Sequence, residues 1–435
     1  MEGTPREPAA PSKQLSSNLH STVVPGRVCE LFAGVGGFRL ALERSGWKVV
    51  WSNQWEPRHR SQWASECYVS HFGGDGHSNV DIAKVPTADV AEHELLVAGF
   101  PCQDYSVATT KAEGIHGKKG VLWWEIERIL KVRRPPYVLL ENVDRLVKSP
   151  GKQPGRDFGV ILWCLAHLGY SAEWRVVNAA DYGGPQRRRR TFILGALENT
   201  SLGREMSGLH NRQDWLERLG LFARAFPTQR LQSRKASSLE SSVTLSKSLQ
   251  KISDEFALRF LNAGVMCDRT IWTVQVRPRR DPEKTLADVL ESAVAEQYFV
   301  PDSSIETWKR LKGAKAEYRV AKNGFEYHYT EGAIPFPDPV ERPSRTIMTS
   351  EGGISPSRFK HLILDPEARR YRVLTPIEAE RLNRFPDNWT KGMPERVRYF
   401  CMGNALVVDL VERIGRVLAS RIAEDEKKSA IIVSA

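Results

Sequence analysis

Residues 28–44 have the sequence VCELFAGVGGFRLALER, and this stretch decides the fold class. Residues 28–32 are typical of a short buried strand, residues 33–37 of a tight glycine-rich turn, and residues 38–44 of a helix that stops before Gly46. A strand, a glycine loop and a helix open a nucleotide-binding α/β domain, because glycines admit a ligand close to the backbone and the helix N-terminus offers free N–H donors. Such a turn can also serve packing alone, so the interpretation depends on the residues that follow.

The composition is that of a large globular protein with a basic excess. The chain has 435 residues, long enough for two domains, and 41% of them are hydrophobic. No apolar run reaches the ~18 residues that a membrane span needs. Residues 1–25 are rich in Pro, Ser and Ala and lack the apolar core of a signal peptide, so we expect a disordered tail on a cytoplasmic protein. The formal net charge of +11 suits a phosphate-backbone partner, although it also fits an ordinary basic protein.

Cysteine spacing bears on metal and redox chemistry. The six cysteines lie far apart, and no two have the Cys-x-x-Cys spacing of a zinc site. We therefore expect neither a metal site nor a disulfide framework, which leaves packing or single-thiol chemistry.

Cys102 is the candidate for that thiol chemistry. It follows the apolar residues 95–99 and the dipeptide Phe100-Pro101. Chemistry in an open parallel sheet lies beyond the carboxyl ends of the strands, so a cysteine there is a candidate nucleophile. The alternative is a buried structural thiol, since free cysteine packs as a small hydrophobe. The glycine-containing residues 104–120 that follow are either a mobile loop that touches phosphates or a plain surface loop.

Polar residues after the second predicted strand, 48–52, fit a nucleoside site. Nucleoside-binding domains place a polar or acidic residue ~20 positions after the first glycine to hold ribose hydroxyls, and Gln54 and Glu56 fall in that window. Trp55 between them can stack on an adenine ring or belong to the core. Asp81, in a later loop, can accept from an adenine amino group or cap a helix.

Charged residues stand at the ends of two more predicted strands. Glu141 closes an apolar run, which places a carboxylate at the same sheet edge as Cys102. Four arginines occupy positions 187–190 before the next apolar run. Such a run is usually a solvated face, but alternate side chains entering a strand point to opposite faces, so Arg188 and Arg190 would face the cleft together.

The pattern changes beyond the first domain. Residues 200–340 are polar and irregular, lack βα alternation, and carry a basic cluster of Arg277, Arg279 and Arg280. This predicts a second domain of different character. Further on, residues 406–417 predict an apolar helix that packs back onto the first domain.

The order of these stretches resembles that of the DNA cytosine-5 methyltransferase family. Residues 27–198 carry FAGVGGFRLAL, NQWE, GFPCQ, ENV and QRRRR, and residues 341–418 carry RPSRT and GNALVVD. The resemblance implies an α/β, Rossmann-like S-adenosylmethionine-dependent methyltransferase fold with a second, smaller, irregular α+β target-recognition domain. The expected parts are a tail at 1–25, the catalytic domain at 26–200, target recognition at 201–370, a hinge at 371–400 and a returning helix at 401–425.

The resemblance also implies a reaction and a cofactor. Cys102 would attack carbon 6 of a flipped-out cytosine, Glu141 would act at ring nitrogen 3, and Arg190, with Arg188 beside it, would bind the ring carbonyl. S-adenosyl-L-methionine would donate the methyl group that carbon 5 receives. Its expected contacts are Phe32, Gly34, Gly36, Gly37, Gln54, Trp55, Asp81, Ile82, Pro101, Leu122, Asn404 and Ala405. The expected DNA contacts are Gln103, Ser106, Lys111, Lys118, Arg277, Arg279 and Arg280.

The compact size resembles that of bacterial restriction–modification enzymes, which implies double-stranded DNA as substrate, a cognate restriction endonuclease as partner, and a monomer. The alternatives are a tRNA cytosine-5 methyltransferase, a catalytically inactive DNA-binding homologue and a nucleotide-binding oxidoreductase.

One position departs from the family, which usually has a glutamate before the stacking tryptophan where this chain has Gln54. Because an amide bonds a ribose hydroxyl without charge assistance, either cofactor affinity is weaker or Glu56 contributes.

Overall fold

The computed structural model of the protein describes residues 26–57, 60–100, 122–229, 240–320 and 324–434. Its strands are β1 Arg27–Leu31, β2 Lys48–Asn53, β3 His77–Ser78, β4 Leu95–Gly99, β5 Tyr137–Val143, β6 Tyr170–Asn178, β7 Arg189–Leu197, β8 Thr228–Gln229, β9 Glu240–Thr244, β10 Ala263–Cys267, β11 Thr270–Val274, β12 Arg277–Pro278, β13 Lys315–Val320, β14 Glu326–Glu331, β15 Ile363–Leu364 and β16 Tyr371–Arg372. Its α-helices are α1 Gly37–Arg44, α2 Trp63–Phe72, α3 Leu122–Arg133, α4 Arg156–His167, α5 Ser201–Ser207, α6 Arg212–Asp214, α7 Leu221–Ala225, α8 Leu249–Glu255, α9 Ile305–Lys312, α10 Pro376–Leu382, α11 Glu395–Asn404 and α12 Val408–Ser434.

A ten-stranded sheet lies at the centre, in the order β3-β2-β1-β4-β5-β7-β6-β10-β11-β9. Strands β3, β2, β1, β4 and β5 run parallel to one another. Parallel strands are covered on both faces and therefore have nearly continuous apolar sequences, and residues 95–98 of β4 are fully buried. The expected α/β fold is confirmed, with a central sheet that combines these parallel strands with antiparallel ones.

Strand β7 runs antiparallel between β5 and β6. Its amino end therefore lies beside the carboxyl end of β5, where Val143 pairs with Arg190. This reversal brings the arginines at the start of β7 to the sheet edge where parallel α/β proteins place their ligands.

Two apolar layers cover the sheet. One layer packs the sheet against α1 and α12, and the other packs it against α3 and α4. Helix α12 is held close to α1, because the indole Nε1 of Trp47 donates to the carbonyl of Gly415 at 3.1 Å. A Cβ at Gly415 would lie 2.4 Å from Ser45 Oγ, so a larger residue there would separate the two helices. Helix α12 therefore packs into the same domain as β1 and α1, although it is far from them in sequence.

Strands β10, β11 and β9 extend the sheet beyond β6 by antiparallel pairing, as in Ala263 with Arg175 and Ile271 with Val243. The sheet therefore continues past residue 200, where the sequence places a domain boundary. Antiparallel pairing between strands distant in sequence depends on tertiary contacts, and the local residue pattern carries no mark of it.

Residues 275–375 contribute smaller elements with a core of their own. Strands β13 and β14 form an isolated ribbon, and β15 pairs with β16. A separate apolar cluster contains Trp308 and Leu362. The buried ammonium of Lys312 lies 2.8 Å from the Asp338 carboxylate. Among the described residues, no helix combines the length and apolar character needed to cross a membrane.

Candidate active site

A cleft of about 430 Å³ opens at the carboxyl ends of the parallel strands. This volume lies in the range of small-molecule and cofactor sites. The cleft is lined by Phe32, Ala33, Gly34, Val35, Gly37, Phe38, Gln54, Trp55, Glu56, Pro57, Ala64, Gly99, Glu141, Phe400, Cys401, Asn404, Ala405 and Leu406. Seven of the residues expected to bind the cofactor therefore surround one cavity: Phe32, Gly34, Gly37, Gln54, Trp55, Asn404 and Ala405.

The glycine-rich turn forms the floor of the cleft. Phe32 has a φ of 55°, a left-handed conformation that costs energy for a phenylalanine and that often occurs at functional sites. Gly34 has a φ of 56° and open space where a Cβ would stand. Gly36 does not line the cleft; a Cβ there would meet the Phe72 ring at 2.4 Å, so this glycine is required by packing.

Gln54 and Trp55 form the wall beside the turn. The side-chain oxygen of Gln54 accepts a hydrogen bond from the Gly34 amide at 2.8 Å. Its amide nitrogen is thereby oriented away from the turn, and the Trp55 ring next to it is 38% exposed. Glu56 also lines the cleft, but its carboxylate accepts from the Ala64 amide at 2.9 Å in the first turn of α2.

Glu141 stands at the inner end of the cleft, on β5. Its carboxylate lies 2.8 Å from the Arg190 guanidinium, and both side chains are largely buried. Burial raises the pKa of Glu141, while the positive charges of Arg190 and Arg188 act in the opposite direction. The contact lacks the alignment of a hydrogen bond, since Oε1 has no hydrogen-bond donor among the described residues. A largely buried carboxyl group that lines a cleft is suited to exchange a proton with a ligand.

Arg188 is placed differently from its neighbour Arg190. It is fully buried, and its Nη2 donates to the carbonyls of Gly403 and Ala405 at 2.7 and 2.6 Å. The side chain therefore braces the segment that carries Asn404 and is not itself part of the cleft wall. Alternation along the strand put both arginines on one face, but it did not indicate that another segment covers Arg188.

Asn142 connects the strand ends of β4 and β5. Its Nδ2 donates to the carbonyl of Phe100 at 2.8 Å, and its Oδ1 accepts from the Val143 amide. This contact fixes the last described residue before Pro101. Asn142 was not among the expected site residues, and its position directly after Glu141 in ENV was the available signal.

Besides Gly36, three expected cofactor contacts lie outside the cleft wall in the described structure. The Asp81 carboxylate accepts from the Ala83 amide at 3.1 Å and caps a 3₁₀ helix, which was the alternative interpretation. Ile82 is buried in the apolar layer that contains α3, and Leu122, the first residue of that helix, packs against the same layer. Cleft residues that the sequence analysis missed include Phe400, Cys401 and Leu406, whose signal was their closeness to Asn404.

Several expected site residues lie outside the described residues. These are Cys102, Pro101, Gln103, Ser106, Lys111 and Lys118. The five described cysteines are free and buried. Burial raises the pKa of Cys67, Cys164, Cys267 and Cys401 to about 12, and it also raises that of Cys29, so none is suited to be a thiolate nucleophile. No cluster of metal-ligating side chains occurs in the described part of the chain.

Two of the three expected DNA-contacting arginines of the second region lie at one end of the sheet. Arg277 and Arg280 line a pocket beside β6, and the Arg280 guanidinium lies 3.0 Å from the Asp181 carboxylate. Arg279 is exposed nearby and does not line that pocket.

The comparisons with known proteins agree with this arrangement. The family model described as C-5 cytosine-specific DNA methylase matches residues 26–420. The type II methyltransferase M.Sau3AI of Staphylococcus aureus is 46% identical over 400 residues, which cover 89% of this chain and 94% of the relative. The type II methyltransferase M.NlaX of Neisseria lactamica is 26% identical over 399 residues, which cover 91% and 97%.

A solved structure has the same fold. The S. pombe Dnmt2 methyltransferase superposes with a TM-score of 0.54 at 16% identity, covering 91% of this chain and 98% of that chain. The prediction of a DNA cytosine-5 methyltransferase is thus confirmed, and the oxidoreductase alternative is wrong. With its family model matched over almost the whole length, the chain belongs to the C-5 cytosine-specific DNA methylases.

Proposed function

We propose that this enzyme methylates carbon 5 of cytosine in double-stranded DNA with Cys102, Glu141 and Arg190 as its catalytic residues. The observation that carries the proposal is the contact between Glu141 and Arg190 at the inner end of the cleft. Both groups lie at the strand edge that leads into Pro101 and Cys102, and Asn142 holds the last residue before them.

The cleft fits S-adenosyl-L-methionine, the cofactor that this family uses in general. Gly34 has open space for a backbone approach, and the exposed Trp55 can stack on an adenine ring. The Gln54 amide nitrogen, which has no hydrogen-bond partner among the described residues, can donate to a ribose hydroxyl. Asn404 and Ala405 also line the cleft. When bound, the cofactor supplies an electrophilic methyl group. The residues of the chain orient it and exclude water around the reacting carbon.

The chemistry requires a nucleophile, an acid and a cation. The Cys102 thiolate forms a bond to carbon 6 of cytosine, and the ring electrons move so that carbon 5 becomes nucleophilic. Glu141 gives its proton to ring nitrogen 3, which offsets the negative charge that develops there, and Arg190 binds the ring carbonyl. After carbon 5 has gained the methyl group it loses its proton to a base. The bond from carbon 6 to sulfur then breaks as the thiolate leaves, and ring nitrogen 3 returns its proton to Glu141.

The raised pKa of Glu141 fits the acid role. Burial favours the protonated carboxyl, and the Arg190 charge keeps the deprotonated form accessible after proton transfer. Arg188 acts as a positioning residue through the carbonyls of Gly403 and Ala405.

The substrate and biological setting follow from the relatives. The type II methyltransferase at 46% identity supports a role in restriction and modification, with double-stranded DNA as substrate. A cytosine inside a duplex must leave the stack to reach the cleft. We further propose that the enzyme is a monomer with a cognate restriction endonuclease as its partner. Residues between Gln103 and Lys118 would contact the DNA, and residues 201–370 would recognise the target sequence.

A covalent trapping experiment tests the reaction. The full chain is incubated with S-adenosyl-L-methionine and duplex DNA that contains 5-fluorocytosine, and the products are separated under denaturing conditions. Fluorine does not leave as a proton does, so we expect a stable protein–DNA adduct that the Cys102→Ala variant cannot form. Absence of an adduct with every duplex would overturn the proposal, and an adduct with RNA alone would assign the enzyme to the tRNA alternative.

A further inference from the structure

A second pocket lies at the same sheet edge, on the side away from the cofactor cleft. It encloses about 320 Å³ beside the carboxyl end of β6. We call it the arginine trough, for its lining residues Arg175, Arg189, Arg277 and Arg280. Asp181 is the one acidic residue among its described lining residues, so the trough carries a net positive charge.

Arg175 is the unusual member of the arginine trough. Its side chain is 2% exposed, and its Nη2 donates to the carbonyl of Leu216 at 2.5 Å. Its Nε and Nη1 have no hydrogen-bond partner within the part of the chain that the structure describes. Buried guanidinium donors are normally satisfied, because an unpaired one loses its hydration without compensation.

The nearest carboxylate does not satisfy Arg175. Glu173 lies two residues earlier on β6, on the same face. Its oxygens accept from the Trp215 indole at 3.0 Å and from the amides of Leu221 and Phe222 at 3.2 and 3.1 Å. Glu173 therefore leaves Nε and Nη1 of Arg175 without a hydrogen bond from the described residues, in a side chain that lines the arginine trough.

The position of the trough relates it to the catalytic residues. In the sheet Asn178 of β6 pairs with Arg189, and Val177 pairs with Arg190, whose guanidinium contacts Glu141. Arg189 itself is exposed on the side of the trough. A group held there lies about one strand away from the base that Glu141 and Arg190 would bind.

We infer that the arginine trough binds a phosphate group of the nucleic-acid backbone next to the target cytosine. A phosphodiester is an anion with acceptor oxygens only, and guanidinium groups match its geometry by donating two parallel hydrogen bonds. This inference rests on the proposed function and deepens it, because it assigns the phosphate contact that sets the register of the DNA on the enzyme.

The first test is the salt dependence of DNA binding. Affinity of the full chain for a labelled duplex is measured by fluorescence anisotropy between about 50 and 200 mM KCl, the range in which counterion release is well resolved. For Arg277→Ala we expect the slope of log Kd against log salt to fall by about one, with affinity at low salt several-fold weaker. Arg212→Ala is the matched control, since Arg212 is an exposed arginine of α6 and does not line the trough. Equal slopes and affinities for wild type and Arg277→Ala would overturn the inference.

The second test uses inorganic phosphate alone and Arg175→Met, which replaces the buried charge by an apolar side chain of similar length. At constant ionic strength set with chloride, phosphate should raise the Tm of the wild type and leave that of Arg175→Met unchanged. Equal increases for both proteins would count against Arg175 as a phosphate ligand. Should Arg175→Met fail to fold, the Arg277→Ala measurement still decides.

The two tests together separate the sources of phosphate. In one outcome, phosphate no longer raises the Tm of Arg175→Met, while the salt dependence of DNA binding by Arg277→Ala equals that of the wild type. This outcome would assign the trough to free phosphate and overturn the nucleic-acid assignment. Neither measurement requires turnover. Loss of covalent trapping with an intact salt dependence would therefore overturn the proposed function and leave the trough assignment standing.

Discussion

Two buried glutamates, on strands β1 and β5, show how different surroundings give one residue type different roles. Glu141 lines the cleft and contacts Arg190. Glu30 is fully buried and accepts a hydrogen bond from the Tyr68 hydroxyl at 3.0 Å, a neutral donor, while its second oxygen has no partner among the described residues. Burial raises the pKa of Glu30 to about 8. At Glu30, burial outweighs the opposing effects of the Tyr68 hydrogen bond and the Arg39 charge, so the carboxyl group keeps its proton. Glu141 differs in that it lines a cleft, where its proton can reach a ligand.

The strongest way to break this comparison is Glu141→Gln. The variant cannot transfer the proton to ring nitrogen 3, so we expect the rate of methyl transfer to fall by about 10²- to 10⁴-fold. Single-turnover kinetics with labelled cofactor measure this rate. The matched control is Glu30→Gln, which leaves the cleft intact and should keep a rate close to wild type. Comparable losses in both variants would show that the cleft position of Glu141 is not what matters.

The next prediction concerns Glu30 and the dependence of protein stability on pH. The Glu30 carboxyl keeps its proton up to about pH 8 when folded, whereas the unfolded chain loses it near the ordinary value of 4.5. The folded state binds more protons between these values, so the stability of the wild type should fall as pH rises from about 4.5 to 8. Across this pH range, the titration of Glu30 should lower the free energy of unfolding by roughly 3 to 5 kcal/mol.

Glu30→Gln should remove this pH dependence, because an amide does not titrate. Urea unfolding followed by tryptophan fluorescence at pH 5 and pH 8 gives the free energies of unfolding. Between pH 5 and pH 8, we expect the free energy of unfolding to change less in the variant than in the wild type, by roughly 3 to 5 kcal/mol. Identical differences in both proteins would mean that Glu30 is not a buried acid in solution.

The smallest expected effect lies at Gln54. In Gln54→Glu a carboxylate can accept from the Gly34 amide and keep a second charged oxygen for a ribose hydroxyl, so S-adenosyl-L-methionine should bind about 3- to 10-fold more tightly. Isothermal titration calorimetry measures the Kd directly. An unchanged Kd would mean that the amide already satisfies this position, or that the cofactor does not reach it.

Strand-end chemistry could be predicted from the sequence because it depends on local order. Gly34, Trp55 and Glu141 follow apolar runs, and the carboxyl ends of parallel strands meet at one edge, so each was expected at the cleft. The membership of β10 and β11 in the central sheet was not predicted, since it depends on pairing with β6 across a long stretch of chain.

Arg188 and Asp81 show that side-chain partners distant in sequence, or one of two possible roles, could not be predicted from the local sequence. Alternation predicts the face of Arg188, but the carbonyl groups it holds at Gly403 and Ala405 come from a segment more than two hundred residues away. For Asp81 the sequence allowed both a ligand contact and a helix cap, and only the geometry shows the cap to the Ala83 amide.

The docking of α12 on α1 also determines when the enzyme can first work during its synthesis. Trp47 meets Gly415, and the cleft wall of Phe400 and Asn404 is translated long after the turn at Gly34. A ribosome that has made only the first half of the chain carries an unfinished domain whose apolar α1 face lacks its cover. The complete wall of the cleft therefore forms only after Gly415 has left the ribosome.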